Sequence, residues 1–175
     1  MSVLEQETNL LSSVELSNPA VFSVRDEPPI AENCEKFVAF LLGSGIYCIS
    51  SKAVIEVIHP LPVAPLPNAP ASISGIAAFR GEVIAVINIK EILGLEQSNA
   101  NAKAKLIILR SNAKDTQFAV PVDLMHELIA VSPVAVTDDP NAPPDGMTRL
   151  VEHESTVFKM IDHEILFERL DQSIA

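Results

Sequence analysis

The 175-residue chain has no tryptophan, a single tyrosine (Tyr47) and two cysteines, Cys34 and Cys48. Without tryptophan there is little aromatic wall for stacking sugars, which counts against a glycosidase cleft even though many carboxylates are present. The cysteines are too far apart for a CxxC pair; Cys48 lies in an apolar run and reads as a small buried hydrophobe. No Gly-rich phosphate cradle of the GxGxxG or GxxxxGK[ST] kind occurs, which argues against a nucleotide-binding enzyme. Ser74-Gly75 lacks the GxSxG elbow that exposes a serine nucleophile. Lys/Arg clusters are missing too, with Lys103-x-Lys105 the densest pairing. Nucleic-acid readers need a basic face, so nucleic acid is not an expected partner. The longest apolar runs, 37–42 and 83–87, fall far short of a membrane span. Residues 1–20 lack a basic stretch followed by a continuous apolar one, so no signal peptide is expected. The expected location is the cytoplasm, with any membrane link made through a partner.

What the chain does have is aliphatic: 48% of it is hydrophobic, mostly Ile, Val, Leu and Ala. The β-branched share favours strands. Net charge is −11, unevenly spread: residues 1–35 hold seven acids and one base, and the body is only mildly acidic. Residues 1–33, rich in Ser and Asn and ending near Asp26-Glu27-Pro28-Pro29, are expected to form a disordered acidic tail. A domain over 34–175 follows.

That domain reads as many short strands. Residues 37–42 and 46–49 flank Gly43-Ser44-Gly45 as a hairpin, and 54–58 is a further strand. Five prolines between Pro60 and Pro70 bar a helix there. Their Pro62-x-x-Pro65 spacing also fits a polyproline ligand, but a connector between strands is the simpler reading. Residues 75–79 and 82–87 flank Arg80-Gly81 as a second tight hairpin, and a short helix over 89–93 stops at Gly94. Strands are expected at 106–109, 118–122, 128–131, 148–151 and 156–161, with a loop over 137–146. A closing helix follows over 162–170, with Asp162 as N-cap. The run Ala85-Val86-Ile87-Asn88 before one helix parallels Phe158-Lys159-Met160-Ile161-Asp162 before the other. This points to two similar small barrels.

Chemistry-bearing clusters are few. His153, Asp162 and His163 would be the ligands of a small metal-dependent hydrolase, but metal sites need three or four convergent groups. Asp138-Asp139 resembles a phospho-acceptor pair but sits in a Pro-rich loop rather than at a sheet end. Arg80 stands alone in an apolar context at a turn, where its planar fork suits a carboxylate. Glu56 is a lone acid inside a strand, either pointing outward or paired with a base.

In order, the segments Val54-x-Glu56-Val57, Pro65-Leu66-Pro67-Asn68-Ala69-Pro70, Ile73-x-Gly75-Ile76, Phe79-Arg80-Gly81-Glu82-Val83-Ile84-x-Val86-Ile87-Asn88 and Ala119-Val120-Pro121-Val122-Asp123 resemble the CheW-like family over about residues 36–170. The resemblance implies a mostly β fold of two intertwined five-stranded SH3-like barrels with short helices. It implies a non-catalytic adaptor, without cofactor or metal. Its partners would be the regulatory domain of a CheA-type histidine kinase and the cytoplasmic tip of a chemoreceptor, in arrays at the inner membrane. The family's receptor-facing arginine aligns with Arg80, and its exposed strand positions with Val54 and Glu56. Ala85 and Asn88 stand where the family commonly has Pro and Asp, and the last hairpin reads His153-Glu154-Ser155 where Asp-Gly is usual. These departures fit a divergent member, of a chemotaxis pathway or of a type IV pilus or biofilm scaffold.

Overall fold

The computed structural model describes residues 34–97, 102–112, 115–142 and 146–174. The expected tail over 1–33 lies outside them. Among the described residues, eleven strands and two α-helices form in chain order: β1 (Glu35–Leu42), β2 (Gly45–Ser50), β3 (Val54–Ile58), β4 (Ile73–Phe79), β5 (Glu82–Ile87), α1 (Ile89–Ile92), β6 (Lys105–Ser111), β7 (Thr116–Val122), β8 (Leu124–Val131), β9 (Val136–Asp138), β10 (Thr148–His153), β11 (Thr156–Ile161) and α2 (His163–Ile174). Residues 137–146 do not form the uninterrupted loop expected from their composition. Their first two residues extend β9, which hydrogen-bonds along the edge of β10. Among the described residues no helix is long and apolar enough to cross a membrane.

Two sheets result, ordered β8-β1-β2-β11-β10-β9 and β3-β6-β7-β5-β4. The chain runs through the same plan twice. A hairpin (β1–β2, then β6–β7) is followed by a single strand (β3, then β8), a second hairpin (β4–β5, then β10–β11) and a helix. In each half the last strand pairs in parallel with the second strand of a first-type hairpin: β5 with β7, and β11 with β2. The single strands are likewise exchanged: β3 pairs with β6, and β8 with β1. Each sheet is therefore built from both halves, so neither half can complete its sheet alone.

Alternation along the strands explains the three cores. Phe37, Ala39, Cys48, Ile129, Val151, Phe158 and Met160 fill the six-stranded sheet. Ala77, Phe79, Ile84, Val86, Leu106, Ile108 and Ala119 fill the five-stranded one. The opposite faces of the same strands, with Phe40, Tyr47, Ile49, Ile107, Leu109, Phe118 and Val120, meet in a shared core that Ile89, Leu166 and Leu170 complete. Strands buried on both faces read as unbroken apolar runs. That is why residues 106–109 show no polar alternation.

Local signals position the helices. Asp162 Oδ1 accepts from the backbone N–H groups of Glu164 and Ile165, 3.0 and 3.3 Å away, capping α2 as expected. Gly94, at φ +65°, follows α1; its N–H donates to Glu91 O, and that of Leu95 to Lys90 O, the double closure of a Schellman motif. The Pro-rich connector is anchored midway, where Ala64 exchanges two backbone hydrogen bonds with Ile76. Gly75 makes this approach possible, because a Cβ there would collide with the carbonyl oxygen of Ala64.

The two second-type hairpins turn alike. Arg80 and Gly81 have φ of 51° and 86°, and Glu154 and Ser155 have 46° and 66°. Positive φ at both central positions is the pattern of a type I′ turn, which favours Gly at the second. Ser155→Gly is expected to stabilise the fold by about 1 kcal/mol, since L residues are strained in this region. A thermal melt should rise by about 2–4 °C.

Candidate functional site

The β4–β5 turn lifts Arg80 from the end of the five-stranded sheet. β3 and β4 are the two outermost strands of that sheet, yet Arg80 Nη2 lies 2.6 Å from Glu56 Oε2 on β3. The ion pair thus bridges the two outermost strands of the sheet. The guanidinium carbon also sits 5.3 Å from the ring centre of Phe79, which is itself buried in the barrel core. A guanidinium over an aromatic face is held in orientation as well as attracted. Arg80 remains 69% exposed and Glu56 36%. Of the two readings open for Glu56, pairing with a base is the one realised.

Val54 is placed differently from its neighbour. It is half-buried and packs against the shared core. The register of β3 on β6 shifts between Val54 and Glu56. One extra residue reverses which side chains face out, and Val57, at 38%, becomes the exposed aliphatic of this strand. Val83, 71% exposed, stands on β5 opposite Ala78, two residues after the Arg80-Gly81 turn. Sequence reasoning missed Val57, Val83 and Phe79, because each lies in an apolar run that gives no sign of its facing. The corner therefore combines one oriented cation, one acid and two exposed aliphatics.

The metal reading finds no support in the geometry. Asp162 is engaged in capping α2 and lies 3.5 Å from Arg149 Nη2. His163 Nε2 lies 3.4 Å from Glu164 Oε1. No group of three or more His, Cys, Asp or Glu among the described residues is placed to hold a metal ion. Asp139 is buried and accepts from Thr148 Oγ1 and the Asn141 N–H, so it secures the loop before β10. A shallow groove of about 420 Å³ runs between the helices, lined by Pro70, Ser72, Glu91, Ile92, Arg169 and Gln172. Arg80 does not line it.

The CheW-like domain model matches residues 36–171. The chain is 31% identical over 124 residues to the chemotaxis protein CheW of Treponema pallidum, covering 69% of this chain and 71% of that one. It is 24% identical over 110 residues to the chemotaxis protein CheW of Rhizobium meliloti, covering 63% and 70%. The crystal structure of scaffolding protein TtCheW from Thermoanaerobacter tengcongensis superposes with a TM-score of 0.70 at 24% identity, over 77% of this chain and 93% of that one. The arrangement of two sheets, each built from both halves of the chain, is thus the fold of a known scaffold. The chain belongs to the CheW-like domain family, whose members are non-catalytic scaffolds of chemotaxis signalling.

Proposed function

We propose that this chain is the adaptor that couples the cytoplasmic tip of a chemoreceptor to the regulatory domain of a CheA-type histidine kinase, in the cytoplasm at receptor arrays. The observation that carries the reading is Arg80: exposed, fixed in direction by a tight turn and an aromatic ring, with the exposed aliphatics Val57 and Val83 on the strands that carry its partner and its turn. An oriented guanidinium beside apolar surface is the usual make-up of a binding hot spot. Glu56 pairs with Arg80 in the free chain, and Val54 fixes β3 on the shared core. Signal would pass as a change in relative placement of receptor and kinase, with no covalent chemistry on this chain.

Co-purification with CheA-type regulatory domains from the same genome, chemotaxis and pilus kinases alike, tests the adaptor reading. A stoichiometric complex on gel filtration is the expected result, and absence of binding to every such domain refutes it. For the receptor arm, Arg80→Glu is expected to weaken binding of a soluble receptor-tip fragment about five- to thirtyfold, as loss of a moderate hot spot does. The fold should tolerate the change, because the corresponding turn of the second half already holds Glu154 at φ 46°. Unchanged affinity with an unchanged melt would remove Arg80 from the interface.

A further inference from the structure

We propose that Glu56 is an internal competitor for Arg80, so that the pair acts as a latch which a partner's carboxylate must open. This inference rests on the reading of Arg80 as a recognition residue. In the free chain the guanidinium is already engaged, with Glu56 Oε2 2.6 Å from Nη2. An arriving carboxylate finds part of the fork occupied and a like charge beside it. Two carboxylates close to one cation repel, so the partner gains most when Glu56 lets go.

The second half of the molecule supplies an internal control on what the pair is for. There the same turn carries Glu154 and Ser155, and β8 replaces β3. Registers locate the counterpart of Glu56. Val57 and Ile58 pair with Ile107 and Leu106 on β6, as Leu128 and Ile129 pair with Val38 and Phe37 on β1. The acid preceding Leu128 is Glu127, so this corner places a glutamate on the turn and a glutamate on the strand. Its acid lies 3.3 Å from the adjacent His126. Leu128 and Val157, 60% and 54% exposed, match Val57 and Val83. The second corner thus keeps the turn and the aliphatics without the cross-sheet ion pair. The six-stranded sheet, in which β9 pairs along the outer edge of β10, forms without such a pair, so the shared strand plan does not by itself require one at the first corner. The turn strain is common to both corners and does not account for it either. What remains particular to the first corner is a cation with an occupant.

Because the arginine is mostly exposed and the glutamate about one-third exposed, the pair is solvent-screened, and the latch is weak and easily exchanged. Full-length parent chain and variants are titrated calorimetrically with a soluble coiled-coil fragment of a chemoreceptor tip from the same genome. Glu56→Gln is expected to bind about two- to fivefold tighter than the parent, the factor set by releasing an exposed pair. Glu56→Ala should do the same, which guards against a substituent effect of the glutamine amide. Arg80→Gln should bind more weakly, and adding Glu56→Gln to it should change nothing further. Glu56→Gln and Glu56→Ala that bind as the parent does, or more weakly, while Arg80→Gln loses affinity, would overturn the latch and make Glu56 a support or a contact. Arg80→Gln that binds as well as the parent would overturn the recognition reading itself. Melts of each variant, expected within about 2–4 °C of the parent, separate binding effects from unfolding.

Discussion

Lys90→Met should lower the stability of the domain by about 3 kcal/mol, and Asp123→Ala by as much, within the range for breaking a buried ion pair. Lys90 Nζ and Asp123 Oδ1 are 2.6 Å apart, with side chains only 10% and 21% exposed. The other oxygen of Asp123 accepts the Gly43 N–H at 2.7 Å. One carboxylate therefore joins α1, the start of β8 and the β1–β2 turn, three segments distant in sequence. Removing the ammonium leaves a poorly solvated charge behind, which costs more than the pair's net contribution. The second half makes the equivalent connection without a lysine: Glu164 of α2 accepts directly from the Asn112 N–H at 2.8 Å and Ser111 Oγ at 2.9 Å. A helix pinning the turn of a first-type hairpin is thus a shared device of the two halves. Chemical denaturation would measure the loss, and the melt should fall by about 6–12 °C. Asp123→Asn keeps an acceptor for Gly43 and should cost less. A cycle with Lys90→Met/Asp123→Asn should show a strong coupling between the two sites, and simple additivity would mean that the two groups act separately.

The strands were legible because their apolar residues recur in short runs bounded by Gly, Pro and Asn. Residues 54–58, 82–87 and 156–161 form strands with the bounds expected of them. The likeness of the two halves was visible in the matching approaches to Asn88 and Asp162, both of which cap helices through side-chain oxygens. The site was less legible. Arg80 and Glu56 stood out one by one, as charges in apolar surroundings. Their contact depends on a strand exchange that brings together the two ends of a sheet, and no local pattern encodes that. The facing of Val54 and Val57 depends on a register shift, which a single extra residue creates without altering composition. The pairing of Lys90 with Asp123 spans 33 residues and follows from the same topology.

Raising the pH from 9 toward 12 should weaken the fold progressively, by an order of 4 kcal/mol at the upper end, through one side chain, Cys48. This thiol is fully buried among Phe37, Ala39, Ile129, Phe158 and Met160. Burial pushes it up from 9.0 to about 12, because the thiolate would have no water. In the unfolded chain the thiol loses its proton near 9, while the folded chain keeps it until about 12. The native state binds more protons between those values, so stability declines with pH across that window and is unaffected by this group below it. The Tyr47 phenol, raised first by burial and then by the charge of Asp139, adds to the same limb from above 10. Cys48→Ala separates the thiol's share. At pH 7 it should be about 1 kcal/mol less stable, because a small cavity replaces the sulfur. Its stability should then fall less steeply with pH, so that the two curves cross near pH 10 and the variant is the more stable chain at pH 11. Denaturation at four or five pH values between 7 and 11 would show the crossing. Parallel curves would mean that the thiol ionises in the folded state as freely as in water, and that the core around β2 admits solvent.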